Sequence, residues 1–325
     1  MKAGTLVDWS KTHWPMLRRV LTVGFVVLVV VLLGLAAAKV DWQKVFEAMA
    51  HTPPSALWQA ALLTVASYLV YACFDLVGKR YTGHDLPWLR CYVIAAVVYA
   101  FLMSLGSSVG GLGLRLRLYT RAGLSAGDAA RVFGLAVTTN WVGYCLIAGP
   151  VFLLGPLQLP TQWNFGANAL RVIGGVMILL AIGYVLLCFL SPRREWTVRG
   201  HRLGLPSGPL SLLQMGLAVA NWFLMGAVLY ILMRQQLPLI AVLEVVLLSA
   251  VAGLIVRLPA GLGVLETIAV TLLSGDSFSR SEVLACVLAY RAVYYLAPLS
   301  VAGLWYLLLE TFIRRREQGR DRAPA

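Results

Sequence analysis

Arg257-Leu-Pro-Ala-Gly-Leu-Gly-Val-Leu-Glu266 is the stretch on which the fold turns. Apolar residues flank it on both sides, from Leu239 to Val256 and from Thr267 to Leu273. Pro259 lacks a backbone donor, and Gly261 and Gly263 loosen a helix, so the hydrogen-bond ladder is expected to break here. A broken backbone at membrane depth survives only where protein buries it or a water-filled cavity hydrates it. The charges that bracket the break, Arg257 and Glu266, are costly at that depth, which makes them functional candidates. The pattern predicts the tip of a re-entrant hairpin that touches a substrate.

Composition fits that depth. Of 325 residues, 60% are hydrophobic and only 13% charged, with a mean hydropathy of +0.79. Soluble domains carry roughly one-quarter charged residues, so the chain reads as an integral membrane protein of one domain. Its formal charge of +13 does not mark a nucleic-acid binder, because the basic residues lie beside apolar runs. That is the positive-inside pattern, with the anionic leaflet surface as the partner. Cys73, Cys91, Cys145, Cys188 and Cys286 fall singly in apolar stretches and read as packing residues. His13, His51, His84 and His201 fall in predicted loops without metal-ligand spacing, and no phosphate-cradling loop with Lys-Ser/Thr is present. No cofactor, metal or enzyme activity is therefore expected.

Taken in order, residues 1–19 are basic and read as cytoplasmic. Val20 to Ala38 forms a first span that serves as its own anchor, and residues 39–54 form an interfacial amphipathic helix ended by Pro53-Pro54. Ala56 to Gly78 spans back. The next apolar run, Cys91 to Leu105, is only about 22 Å long as a helix, short of a core of about 30 Å. It ends in Gly106-Ser-Ser-Val-Gly-Gly-Leu-Gly113, followed by Arg115, Arg117 and Arg121. A single crossing would put those arginines outside, whereas a hairpin over 91–121 keeps them inside. Further spans are Arg131–Leu153, Ala169–Leu190, Leu210–Met233 and Val283–Leu309, with the opening stretch in a second hairpin, 239–274. On this layout 20 of 27 Lys and Arg fall inside, five outside and two, Arg257 and Arg291, in the membrane. The asymmetry favours an all-α protein with six full spans, two re-entrant hairpins and both termini cytoplasmic.

Gly111-Leu-Gly-Leu114 recurs as Gly261-Leu-Gly-Val264, offset by 150 residues. Three full spans separate the copies, so the second enters from the opposite face. The layout is then an inverted-topology repeat, one unit over residues 56–153 and another over 210–309, after an N-terminal anchor and interfacial segment, 1–55. Such repeats place a transporter's site between two broken elements.

At these residues the chain resembles the membrane flippase region of the lysylphosphatidylglycerol synthases, the multiple peptide resistance factor family. The resemblance rests on Gly110-Gly-Leu-Gly-Leu-Arg115-Leu-Arg117-Leu-Tyr119 with Gly123-Leu-Ser125, on Arg257 to Thr267, and on Tyr290-Arg291 with Pro298 and Gly303. Tyr71 and Asp75 also match a family feature. The likeness covers most of residues 55–310. It implies a lipid-translocating or lipid-binding module of the bacterial inner membrane. The synthases carry a soluble aminoacyl-transfer domain after the membrane region, and this sequence ends at Ala325, so synthase activity is not expected to carry over.

Competing readings attach to each candidate residue. Arg115 and Arg117 either fork an anionic lipid phosphate, helped by the backbone of Gly111 and Gly113, or anchor the segment at the cytoplasmic face. Arg257 and Glu266 either contact phosphate and amine or close the hairpin as an ion pair. Arg291 needs an anionic partner, for which Glu266 is the obvious protein group. Asn140, Trp141, Asn221 and Trp222 read mainly as interhelical packing. If Arg115, Arg117, Arg257, Arg291 and Glu266 converge, the local charge is +3, and a phosphate-bearing, anionic phospholipid would complete it. The rivals are an accessory subunit that holds a lipid-synthesis enzyme in the membrane and a membrane-embedded lipid-modifying enzyme.

Overall fold

In a computed structural model, the described residues are 41–156, 166–193, 195–198, 201–256, 261–275 and 277–321, with single helical positions at Gly24, Val27, Val31, Gly34 and Ala38. Arg257 and most of the predicted first span lie outside them. Residues 1–41 form one unit and residues 42–325 another.

The second unit is helical, with one short hairpin. Helix α1 covers Trp42–His51, α2 Pro54–Thr82 and α3 Trp88–Gly106; a π-helical turn, Ser107–Gly113, leads into α4, Leu114–Arg121. Helices α5 (Ala126–Leu154) and α6 (Ala167–Leu190) precede strands β1 (Glu195–Val198) and β2 (His201–Gly204). Then come α7 (Gly208–Leu232), α8 (Leu239–Val256), α9 (Val264–Leu273), α10 (Arg280–Arg291), a second π-helical turn (Ala292–Leu296) and α11 (Ala297–Asp321). Among the described residues, seven helical segments are long and apolar enough to cross a membrane. The strand pair lies between the predicted spans Ala169–Leu190 and Leu210–Met233, with Glu195 opposite Gly204 and Val198 opposite His201. His51 closes α1, inside the predicted interfacial helix, and His201 opens β2, where the sequence predicts a loop.

Local chemistry sets the boundaries. Pro54 opens α2 where no backbone donor is needed, and Gly83 closes it at φ 72°. Ser125 caps α5 by accepting from the Asp128 N–H, and Ser279 with Glu282 forms a capping box at α10.

The core lies where α2 packs along α7, with α3 and α5 against them. At its centre four side chains close a ring of hydrogen bonds. Ser67 Oγ donates to Asn221 Oδ1 at 2.8 Å, and Asn221 Nδ2 donates to Tyr99 Oη at 3.2 Å. Ser67 has one proton and spends it on Asn221, so Tyr294 donates to Ser67 at 2.6 Å and Tyr99 donates to Tyr294 at 2.9 Å. The ring ties α2, α3, α7 and the second π-helical turn. The sequence reading of Asn221 as packing understates it: its amide gives through the nitrogen and takes through the oxygen, and so sets the direction of the three hydroxyls.

The first break is tightly built. Gly106 lies at φ 79°, a conformation that favours glycine. A Cβ on Gly110 would stand 2.1 Å from the Phe101 carbonyl oxygen. Nine residues of continuous helix would separate these groups by about 14 Å, so the π-helical turn lies back against the end of α3.

Gly110→Ala should therefore cost about 1–3 kcal/mol or more, because backbone cannot step aside, whereas Gly134→Ala, with open space around it, should be neutral or stabilising. Melting of the two variants in detergent checks this, and equal melting would mean that the break relaxes freely.

Candidate functional site

Both glycine breaks border one cavity of about 850 Å³. Gly106, Ser107 and Ser108 line it from the first break, and Gly253, Gly261 and Leu265 from the second. Tyr71, Tyr99, Trp141 and Trp222 add aromatic surface, and Ser249, Tyr290 and Tyr295 complete the side nearest α8 and α10. No charged side chain lines it among the described residues. A smaller recess, about 510 Å³, lies by Val270, Ser274, Phe278 and Arg280 and touches neither break.

The second break is shaped by glycine and held by one arginine. Gly261 and Gly263 take φ values of 56° and 82°, which an L side chain rarely adopts. Gly263 precedes the first residue of α9, and a Cβ on Gly253 would lie 3.6 Å from the Gly261 Cα. Arg291, from α10, donates through Nη2 to Glu266 Oε2 and to the Gly261 carbonyl, each at 2.9 Å, and through Nε to Glu266 Oε1. Its guanidinium also lies over the Tyr295 ring, 5.5 Å from the centroid. The Arg291 and Glu266 side chains are 8% and 17% exposed. Glu266 is thus the partner of Arg291, as its charge predicts.

The first break has its own fork, and it is sealed. Arg115 donates through Nε and Nη2 to the two oxygens of Asp75, at 3.1 and 2.8 Å, and Tyr119 adds a third bond at 2.8 Å. Both charged side chains are 0% exposed. Arg115 sits behind the wall of the cavity, its guanidinium 5.5 Å from the centroid of the Phe133 ring. Gly111 is buried, with Leu102 and Phe133 where a Cβ would go, and Gly113 opens α4 in an ordinary helical conformation. Arg117 lies over the Tyr306 ring at 6.0 Å.

Of the predicted site residues, the structure brings Gly261, Glu266 and Arg291 together and puts Gly261 on the cavity. Arg115 and Arg117 do not line it. Asp75 was missing from the predicted charge count, and Arg115 and Arg291 each carry a carboxylate already; Arg257, a further member of that count, lies outside the described residues. Sequence reasoning missed Ser249, Tyr99 and Ser108 as lining groups. Ser249 and Tyr99 sit in apolar runs where a lone hydroxyl carries no spacing signal, and Ser108 lies within the quoted first break, where the glycines and arginines drew the reading instead. Asp75 was visible only through the resemblance.

The two forks differ in burial, and the cost of breaking them should differ accordingly. Asp75→Asn strands a guanidinium that is wholly out of water and should cost about 3–5 kcal/mol. Glu266→Gln leaves Arg291 its carbonyl partner and partial exposure, and should cost less than half as much. Thermal unfolding of both variants reads the order; a larger loss in Glu266→Gln would reverse it.

A family model described as the lysylphosphatidylglycerol synthase TM region matches residues 20–303. The Escherichia coli K12 inner membrane protein YbhN is 41% identical over 305 residues, covering 93% of this chain and 96% of that protein. The uncharacterized protein slr0712 of Synechocystis is 30% identical over 280 residues, covering 85% of this chain and 86% of its own length.

Proposed function

Because the chain belongs to the lysylphosphatidylglycerol synthase transmembrane-region family, we propose that it moves a phospholipid between leaflets through the cavity between its two glycine breaks. The observation that carries this is the cavity itself: two breaks 150 residues apart in sequence border one space of about 850 Å³. Packing alone has no use for such a space between helices, because the side chains that line it forfeit contacts.

On this reading the breaks are tips of re-entrant hairpins in an inverted repeat. The element boundaries support it. Displaced by 150 residues, Trp88–Gly106 runs from 238 to 256 against the observed Leu239–Val256, and Leu114 falls on Val264. The protein is not an enzyme on this reading. It sits in the inner membrane, as the name of the Escherichia coli relative says of that protein, with both termini cytoplasmic. The lipid is phosphate-bearing, and movement is passive, ion-coupled or driven by a partner.

A second reading has one observation on its side. Arg115 and Arg291 are paired with Asp75 and Glu266 inside the protein, which suits a scaffold for a lipid-synthesis enzyme as well as a transporter. A leaflet-resolved assay separates the two. Proteoliposomes should equilibrate a labelled phospholipid faster than empty liposomes. Ala250→Trp, which fills the cavity from α8, should slow this by tenfold or so while melting stays unchanged. No movement by the unmodified chain would leave the scaffold. Single-cysteine labelling tests the hairpins separately: position 121 should react from the cytoplasmic side and position 277 from the exterior, and labelling of 121 only from outside would rule out the first hairpin.

A further inference from the structure

Two hydroxyls on the cavity wall stand out by what they do not do. A serine or threonine within a helix ordinarily spends its proton on the carbonyl four residues back. Thr64, Thr138, Thr139, Thr271 and Ser300 all do so here. Ser249 does not: it lines the cavity, is 8% exposed, and its Oγ is buried with no hydrogen-bond partner among the described residues. Tyr290, 1% exposed on the same lining, has an Oη in the same condition. Its neighbours Tyr294 and Tyr295 meet it by ring contacts, stacked at 5.4 Å and edge-on at 5.8 Å, and the Tyr295 hydroxyl bears on its own without reaching the geometry of a formed hydrogen bond. A buried hydroxyl without a partner has given up its hydration and received nothing in return. Ser104, also in a helix, has a buried Oγ in the same condition away from the cavity; what sets Ser249 and Tyr290 apart is that both, from α8 and α10, belong to one cavity wall, where an occupant can supply the acceptors.

We propose that Ser249 and Tyr290 bind the phosphodiester oxygens of the lipid headgroup, so that the cavity takes glycerophospholipids whatever their net headgroup charge. This rests on reading the cavity as the headgroup site. A phosphodiester oxygen is an ionised acceptor, and hydroxyl bonds to such a group are roughly twice as strong as neutral ones. The phosphodiester is also the part that zwitterionic and anionic phospholipids share. What varies among them lies beyond it, and there the described lining offers aromatic rings and neutral polar groups rather than fixed charge. Arg115 and Arg291, the groups that would favour an anionic headgroup, are held by Asp75 and Glu266.

The test uses the full chain in detergent with short-chain phosphatidylethanolamine, phosphatidylcholine and phosphatidylglycerol, and reads affinity from the rise in melting temperature with lipid concentration. The three lipids should bind within about threefold of one another. Ser249→Ala and Tyr290→Phe each delete one oxygen and little volume, and should weaken all three lipids alike by roughly tenfold, the value of one such bond, while lipid-free melting rises because an unpartnered buried hydroxyl has been removed. Two results would overturn the assignment. Wild-type affinity in both variants would mean that water satisfies the hydroxyls. A phosphatidylglycerol preference above tenfold that disappears in high salt or in Arg257→Gln would mean that a cation reads the headgroup. Translocation is scored separately in proteoliposomes: weakened binding in both variants with no lipid crossing by wild type leaves the binding assignment standing and removes the transport reading. Transport by both variants at the wild-type rate with unchanged affinity does the reverse. No binding of any lipid by the wild type would defeat both.

Discussion

The amide of Asn221 is the group on which the core closes. It donates to Tyr99 and accepts from Ser67, and Tyr294 completes the circuit. Each member depends on the direction of the next, because every hydroxyl has one proton to give. Apolar side chains exert little pull on one another in lipid, where the surroundings are as oily as the partner. A closed polar ring is therefore an effective way to fix four elements in one register. Its members come from α2, α3, α7 and the second π-helical turn, so it draws on both proposed repeats and on the helices behind both breaks.

The breaks hang from this frame by different means. The first is fastened by Asp75, which takes three hydrogen bonds in a space with no exposure, and by backbone lying against backbone at Gly110. The second is held by Arg291, which grips a carboxylate and a carbonyl in a partly open setting. Polarity is reversed between the two. At the first break the short helix after the turn supplies the arginine and a long helix supplies the acid; at the second the short helix supplies the acid. Each guanidinium is planar and meets its carboxylate with two nitrogens, a geometry that lysine does not reproduce.

Much of this was legible in the residues. Glycine chemistry located both interruptions, since Gly106, Gly261 and Gly263 take the positive φ values for which glycine is suited. Charge economy predicted the pairing of Arg291 with Glu266. The membrane character and the helical segments came from hydropathy and length. Less was legible where the determinant is a contact between distant residues. Nothing in the run around Asp75 points to Arg115, 40 positions away. Nothing around Ser67 announces Asn221, 154 positions away. A serine in an apolar helix looks the same whether it bonds back, as Thr64 does, or faces a cavity, as Ser249 does. Local spacing carries helix breaks; it does not carry the partner of a buried polar atom.

The second π-helical turn, Ala292–Leu296, changes the phase of the last long helix. A π-helical turn accommodates an extra residue, and one residue of an α-helix is about 100° of rotation. Every side chain beyond Leu296 is therefore displaced around the axis from where an uninterrupted α-helix would carry it. Arg291 and Tyr306 face their separate partners, Glu266 and the Arg117 guanidinium, from opposite sides of this offset. In terms of sequence the turn is equivalent to a one-residue insertion. Removing one residue between 292 and 296 would give a more regular helix and leave every hydrophobic residue beyond it in the same order, yet it would rotate the two halves against each other by about a quarter turn or slightly more. Length in this stretch is thus constrained alongside the identity of Tyr294, whose hydroxyl the ring requires.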